Sequence, residues 1–330
     1  MFIRTIAADI GSVNTRLLTK EGLFTKRTLC AVDLKTGANI AAIGAAGVSG
    51  GNEASPIKRG AAANTELLAA FLSRINRDIT GRRSAARTEL VIALAQSMSA
   101  GKKLAFLKAA QTAGFRRCDI ADASLMCAIG AGIDVFSDRA ALVADIGAKT
   151  VKCAAVANGG VIFESAAEFG SDRVDEAIRA HFRDSCGVII GRRTAEFIKI
   201  DPGAGGFTVD GRSVKDGLPR TVKAEKSKVE ACVLSGLLET VRFIADSVRA
   251  LSAEAAADIM DTGITLVGGG AMTRGLAGLI SEETGVKTRV AEDAENALAR
   301  GLKRAVFSEG GRLLGLFERT GGYIDTKSAR

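Results

Sequence analysis

The sequence predicts an α/β protein of two lobes, and three observations carry this prediction. The chain has 330 residues, which exceeds the size at which one hydrophobic core stops growing, so two domains are expected. The string Ala-Asp-Ile-Gly occurs at residues 8–11 and again at 144–147, a displacement of 136 residues (145 − 9) that corresponds to a whole lobe. Helix and strand patterns alternate between and after the two copies, as they do in α/β folds.

Each copy of the repeated string is predicted to form a β-hairpin with a polar tip that contains glycine. In the first copy, an apolar strand over residues 3–9 is followed by a tip over residues 10–15 and by a returning strand over residues 16–19. In the second copy, residues 141–150 lead into a returning strand over residues 151–157. The sequence therefore places the same local structure in both lobes.

The rest of the chain supplies helices and strands that are expected to pack around these hairpins. Apolar stripes with a period of 3.6 residues, such as Leu68, Phe71, Leu72 and Ile75, predict amphipathic helices. The predicted helices cover residues 64–78, 99–113, 123–130, 172–182, 194–199 and 226–251, and the predicted strands cover residues 89–95, 207–212, 221–223 and 264–267. Residues 37–60 are rich in glycine and alanine and predict a loop-like excursion from the first lobe.

The composition excludes several classes of protein. With 47% hydrophobic and 25% charged residues, and no run of about 18 apolar residues, the chain is predicted to be neither disordered nor membrane-spanning. The six cysteines are scattered without a Cys-x-x-Cys pair, so reduced thiols are expected instead of disulfides or a zinc site. No secretory signal pattern opens the sequence, so a cytoplasmic protein is expected.

The net charge of +8 does not predict a nucleic-acid-binding protein. Phosphate contact is an effect of charge that needs no motif, but the basic residues here are dispersed along the chain. With no tryptophan and one tyrosine, there is little aromatic surface on which bases could stack. Solvated faces and weak attraction to acidic lipid explain the charge better than specific nucleic-acid recognition.

Three glycine loops lie where they could bind the phosphates of a nucleotide. Gly11 and Gly147 each follow an aspartate, Asp9 and Asp145, by two positions. Glycine lets backbone N–H groups approach a phosphate closely, and a nearby carboxylate can hold hydrated Mg²⁺. The third loop, residues 268–270, lies between a strand and a helix, where an anionic ligand is favoured. The ordered trio predicts binding of a nucleoside triphosphate.

The order of these loops resembles that of the actin, Hsp70 and sugar-kinase superfamily, and further motifs are similar to those of the MreB family of bacterial actin homologues. The similar motifs cover residues 9–15, 56–60, 128–132, 170–178, 194–199, 217–222 and 268–276. The resemblance implies a two-lobed actin-like ATPase fold, in which each lobe is a mixed five-stranded sheet with flanking helices and the two form a duplicated ribonuclease H-like core. It implies that lobe I covers residues 1–139, with a small subdomain at about 33–75. Lobe II is expected over residues 140–305, with a small subdomain at about 182–250. The C-terminal segment, residues 306–330, is expected to return to lobe I.

The resemblance also implies roles for individual residues, with ATP and Mg²⁺ as cofactors. Asp9 and Asp145 are expected to hold the metal through water, and Thr150 matches a position that helps to place the attacking water. The residues expected to bind phosphate are Gly11, Ser12, Asn14, Thr15, Gly147, Ala148, Lys149, Thr150, Gly170 and Asp172. Those expected at the nucleoside are Glu196, Lys199, Gly268, Gly269, Gly270, Ala271 and Met272.

The chain departs from the family pattern around the γ-phosphate. Residues 122–124 are Asp-Ala-Ser where the family has two acids and a proline, so Ala123 replaces the acid that orients the hydrolytic water. Ala148 and Lys149 replace two glycines. These departures predict a protein that binds ATP but hydrolyses it slowly or not at all. Asp122 is a weak candidate for a substitute acid, because one helical position is about 100° of rotation away.

The resemblance implies that the chain polymerises into filaments, associates peripherally with the inner face of the membrane, and works with the cell-wall elongation machinery to maintain rod shape. Two alternatives stay open. One is a non-hydrolysing scaffold or regulatory paralogue that keeps ATP as a structural ligand, which the alanines at 123 and 148 favour. The other is an Hsp70-like ATPase, which the lack of room for a peptide-binding domain disfavours.

Overall fold

The computed structural model describes residues 4–32, 40–43, 52–80, 88–200, 207–307 and 317–318. About a third of the predicted 33–75 subdomain, residues 33–39 and 44–51, and most of the segment 306–330 lie outside these residues. The chain divides into two compact units. Unit 1 comprises residues 1–138, 156–164 and 296–330, and unit 2 comprises residues 139–155 and 165–295.

Unit 1 is built on a six-stranded sheet. Its elements before residue 139 are β1 (Arg4–Ile10), β2 (Asn14–Leu18), β3 (Leu23–Arg27), β4 (Cys30–Val32), β5 (Ile40–Ile43), β6 (Asn52–Ala54), β7 (Ile57–Lys58), β8 (Ala61–Ala62), α1 (Thr65–Thr80), β9 (Thr88–Leu94), α2 (Ala100–Thr112), β10 (Arg117–Asp122) and α3 (Ala123–Gly130). Near the C-terminus it adds α9 (Ala297–Phe307) and β19 (Phe317–Glu318). The sheet order is β19-β10-β9-β1-β2-β3. Strands β1, β9 and β10 run parallel, whereas β2, β3 and β19 each run antiparallel to their neighbours.

The core of unit 1 lies between this sheet and helices α1 and α2. The apolar stripe of α1 and the inward positions of the strands meet there, and Phe71, Phe106, Ile6 and Ile92 are all 1% exposed or less. Burying a side chain of this size contributes about 1.5–3 kcal/mol relative to leaving it in water. This packing fixes the sheet edge from which the first hairpin tip projects.

Most of the second sheet belongs to unit 2, and residues 156–164 of β12 and β13 are assigned to unit 1. The elements from residue 141 to residue 290 are β11 (Ala141–Ile146), β12 (Val151–Ala157), β13 (Gly160–Ala167), α4 (Asp172–Cys186), β14 (Val188–Ile189), α5 (Arg192–Ile200), β15 (Phe207–Ser213), β16 (Pro219–Ala224), α6 (Lys226–Arg249), α7 (Ala253–Thr262), β17 (Ile264–Val267), α8 (Leu276–Thr284) and β18 (Thr288–Val290). Short 3-10 helices cover Gly269–Met272 and Ala294–Asn296. The order of this sheet is β13-β12-β11-β17-β18, with β11, β17 and β18 parallel.

The two sheets have the same strand order, which confirms the predicted duplication. In the first sheet the order from β10 is β10-β9-β1-β2-β3, and in the second it is β18-β17-β11-β12-β13. In each sheet, three strands that are consecutive in the chain form one half. The other half consists of two strands that run parallel to the first of these three, and each of the two follows a helix in the chain. The repeated Ala-Asp-Ile-Gly string lies at the end of β1 in one sheet and of β11 in the other.

The helix predicted over residues 226–251 ends at Arg249, and a separate helix that was not predicted, α7, follows it. Ser252 begins α7 because its side-chain oxygen accepts a hydrogen bond from the Ala255 N–H at 3.2 Å, as helix N-caps do. Among the helices within the described ranges, none is both long and apolar enough to cross a membrane.

Candidate functional site

The tip of the first hairpin is a tight turn that only glycine can make. The Gly11 N–H donates to the Asn14 carbonyl at 3.1 Å, and a Cβ at Gly11 would lie 2.7 Å from that same oxygen. The Ser12 hydroxyl accepts a hydrogen bond from the Gly60 N–H at 3.2 Å, which ties the tip to the turn after β7. The sequence therefore predicted the shape of this loop correctly, and its partly exposed backbone can approach an anion.

Thr15 lies behind this tip and not on its surface. Its side chain is fully buried, and its hydroxyl is 2.8 Å from that of Thr28. The Thr28 N–H in turn donates to the Val13 carbonyl at 2.8 Å. Thr15 thus holds the loop in shape from within, and it offers no exposed hydroxyl to a phosphate.

Asp9 lies beside the same tip and faces a cation. It is the register partner of Arg16 on β2, so both side chains lie on one face of the sheet. Arg16 Nη1 is 3.5 Å from Asp9 Oδ2, and the guanidinium is also held by a 3.0 Å hydrogen bond from Nε to Asn296 Oδ1. The carboxylate that was predicted to hold Mg²⁺ is therefore paired with a basic residue of its own hairpin.

The tip of the second hairpin repeats the geometry of the first. The Gly147 N–H donates to the Thr150 carbonyl at 2.9 Å. The start of α4 supports this turn, because the N–H groups of Ser171 and Asp172 donate to the carbonyls of Gly147 and Ala148, each at 3.0 Å. A Cβ at Gly170 would lie 2.5 Å from the Gly147 carbonyl oxygen, so glycine is required at residue 170.

Charged side chains surround the second tip as well, and Asp145 faces one of them. Lys152 Nζ lies 3.4 Å from Asp145 Oδ2, so this aspartate is also paired with a cation of its own hairpin. Burial raises the pKa of Asp172 above its usual value, Glu176 adds to that rise, and the positive charge of Lys149 opposes it.

The third glycine loop packs directly on the second hairpin. Gly268 has φ +85°, and a Cβ there would lie 2.6 Å from Asp145 Oδ1 and 2.6 Å from the Ile146 carbonyl oxygen. A Cβ at Gly270 would lie 2.5 Å from Ile146 Cγ2. Gly269 and Met272 are exposed, whereas Ala271 is buried. Two of the three predicted loops therefore form one continuous surface of unit 2.

Glu196 and Lys199, which were predicted at the nucleoside, lie on α5 with different exposure. Glu196 is exposed. Only 7% of the Lys199 side chain is exposed, and its Nζ lies 2.9 Å from Asp175 Oδ1 on α4. Burial raises the pKa of Asp175, and Lys199 partly offsets that rise. Because this ion pair joins α4 to α5, contact of Lys199 with a nucleoside would require the pair to open.

Asp122 acts as the N-cap of α3. Its Oδ1 accepts hydrogen bonds from the N–H groups of Ser124 and Leu125 at 2.8 and 3.0 Å. This geometry does not favour the hypothesis that Asp122 replaces the missing acid, because its carboxylate is committed to the helix N-terminus. Ala123 is 2% exposed, and the neighbouring Ser124 hydroxyl donates to Glu164 Oε1 at 2.6 Å. Glu164 is not among the site residues predicted from the sequence.

The donor set fits a phosphate better than it fits Mg²⁺. Residues 11–14 and 147–150 at the two tips are partly exposed, which suits the approach of an anion to their backbone. In the described part of the chain, no group of three or more His, Cys, Asp or Glu residues is placed to hold a metal ion. The two candidate carboxylates, Asp9 and Asp145, each have a cation within 3.5 Å.

Sequence reasoning missed Arg16 and Lys152, although a signal for them was present. Each follows its aspartate by seven residues (16 − 9 and 152 − 145). Across a tight hairpin this offset places two side chains opposite each other, as the register of Asp9 with Arg16 shows. A search for charged residues at equal offsets from the repeated string would have found both pairs.

Residues 3–309 of the chain match the MreB/Mbl protein family. The cell shape-determining protein MreB of Escherichia coli (strain K12) is 29% identical over 345 aligned positions, which cover 98% of this chain and 96% of that protein. The similarity thus extends over both units.

Solved structures show the same fold. MreB 5 of Spiroplasma citri bound to AMPPNP superposes with a TM-score of 0.84 at 23% identity, covering 92% of this chain and 96% of the other. The MamK double helical filament gives a TM-score of 0.70 at 17% identity, with coverage of 91% and 98%. These likenesses confirm the predicted actin-like fold.

Proposed function

Because the chain belongs to the MreB/Mbl family, we propose that it binds ATP and polymerises into filaments that organise cell-wall synthesis and maintain rod shape. The observation that carries the nucleotide proposal is the repeated hairpin tip. In each unit, a glycine N–H closes the turn, and the tip residues, 11–14 and 147–150, are partly exposed, so that an anion can approach their backbone. The loop at residues 268–270, packed on the second tip, is the proposed nucleoside contact.

Self-association is the second part of the proposal. A chain of this family with the fold of the MamK filament structure is expected to assemble with copies of itself. We place these filaments at the inner face of the cell membrane, peripherally attached, with the cell-wall elongation machinery as partner. The net charge of +8 supports attraction to an acidic lipid surface.

Slow or absent hydrolysis is the third part. The side chain at residue 123 has no carboxylate, and the Asp122 carboxylate caps α3. In-line attack on a γ-phosphate needs a group that orients the water. The chain therefore keeps a loop structure suited to nucleotide binding and lacks the acid that the family uses for hydrolysis. This combination favours a filament or scaffold that retains its nucleotide.

Ala123→Glu is expected to raise the rate of phosphate release by about tenfold or more, a gain typical of a positioned acid or base. The new carboxylate would also lie in the first turn of α3, where the helix dipole favours a negative charge. The assay follows phosphate release from ATP by the wild type and the variant, with binding of a fluorescent ATP analogue titrated in parallel.

Ala123→Gln is the matched control, because it adds nearly the same volume without the charge. It is expected to leave phosphate release at the wild-type level. Equal release by the Glu and Gln variants would contradict the account of hydrolysis. No binding of the ATP analogue by the wild type would contradict the proposed nucleotide function as a whole.

A further inference from the structure

Two ion pairs occupy equivalent places in the two hairpins. Asp9 faces Arg16 at 3.5 Å and Asp145 faces Lys152 at 3.4 Å. In each hairpin the aspartate lies two residues before the tip glycine, and the cation follows that aspartate by seven residues. The same arrangement, repeated in two parts of the chain with arginine in one and lysine in the other, indicates a shared property of the two tips and not an accident of one turn.

The strand register sets the first pair, so it does not depend on a long flexible reach. Asp9 and Arg16 are directly opposite on β1 and β2. Both side chains are mostly buried, at 17% and 11% exposure, and Asn296 holds the guanidinium from a second side. A pair shielded from solvent in this way is screened less by salt than an exposed pair is.

This pairing conflicts with a role for the two aspartates in holding Mg²⁺. A hydrated Mg²⁺ binds proteins through carboxylate oxygens that are free to accept from its waters. A guanidinium or ammonium beside the carboxylate neutralises its charge and repels a second cation. The same basic groups are good ligands for phosphate, arginine through its planar set of donors and lysine as a compact charge.

We propose that Arg16 and Lys152 take the place of the divalent cation at the two tips, so that this chain binds nucleotide without requiring Mg²⁺. The inference rests on the proposed nucleotide function and adds to it the source of the positive charge. Arginine has five N–H donors and lysine three, so each cation can donate to a phosphate oxygen at its tip while it stays beside its aspartate. The ligand class is a nucleoside di- or triphosphate free of metal.

The test is a titration of the wild-type chain with a fluorescent ATP analogue, once with excess Mg²⁺ and once with EDTA. The dissociation constants are expected to agree within about threefold, which is under 1 kcal/mol. A loss of affinity of more than about tenfold in EDTA would overturn the inference while leaving the proposed function intact. No binding in either buffer would overturn the proposed function, and this inference with it.

Charge removal gives a second and independent readout. Arg16→Gln and Lys152→Gln are each expected to weaken binding in EDTA by about tenfold and to recover part of it when Mg²⁺ is added. Arg74→Gln and Lys228→Gln, which remove a charge from exposed ion pairs with Asp78 and Glu225, are the controls and are expected to bind as the wild type does. Wild-type affinity of both tip variants in EDTA would contradict the proposal. Thermal unfolding of each variant checks that it is folded.

Discussion

Replacing Gly130 or Gly301 by alanine is expected to lower the free energy of unfolding by about 3 kcal/mol or more, near the upper end of what overpacking costs. Helices α3 and α9 touch backbone to backbone at these residues. A Cβ at Gly130 would overlap the Ala297 carbonyl, and a Cβ at Gly301 would overlap the Met126 carbonyl. Since rigid backbone atoms cannot move aside as a flexible side chain can, the two helices would have to separate.

Urea denaturation followed by circular dichroism measures this effect. Gly101→Ala is the matched control, because Gly101 lies in helix α2 of the same unit and a Cβ there would meet nothing within 4 Å. Alanine is the better helix former, so the control is expected to be neutral or more stable by up to about 1 kcal/mol. If Gly130→Ala and Gly301→Ala were as stable as the control, the close helix contact would be wrong.

Gly268→Ala is expected to weaken nucleotide binding by at least about thirtyfold, or roughly 2 kcal/mol. Gly268 has φ +85° and ψ 163°, a conformation essentially confined to glycine. An added Cβ would also come within 2.6 Å of Asp145 Oδ1. The substitution would therefore push the third loop away from the second hairpin, and both carry proposed ligand contacts.

Gly275→Ala is a control for a substitution at a positive φ without a close contact. Gly275 also has φ +85°, but a Cβ there would meet nothing within 4 Å. Its alanine variant is expected to lose some stability and to keep its affinity for a fluorescent ATP analogue within about threefold of the wild type. Equal loss of affinity in the two variants would show that packing of the loop on Asp145 has no role in binding.

The elements that the sequence predicted well are those whose signals are local. Helix α3 has the predicted bounds, Ala123–Gly130, because its apolar run has a capping aspartate in front of it. Helix α7 was not predicted, because the predicted helix ended at residue 251 and the alanine-rich residues after it include only two large apolar side chains, Ile259 and Met260. Strand β19 has two residues and depends on pairing with β10, which no local pattern reveals.

The residues of the candidate site were also predicted well where the sequence signal is local and poorly where it is not. The tip glycines were predicted because their need for close backbone approach is visible in the sequence as strand, glycine and turn. The burial of Lys199 was not predicted, because a lysine on an amphipathic helix is ordinarily exposed and only the fold brings Asp175 beside it. The cation pairs at Asp9 and Asp145 depend on which residues face each other across each hairpin.

The most direct test of a nucleotide-retaining filament is sedimentation of the purified chain with ATP, with ADP or without nucleotide, with phosphate release followed in the same tubes. The chain is expected to pellet in the presence of ATP while little phosphate is released, because the family fold is kept and residue 123 is alanine. Absence of pelleting together with absence of nucleotide binding would contradict the proposed filament function. The chain would then share only the fold of its family. Pelleting accompanied by rapid phosphate release would contradict the loss of hydrolysis.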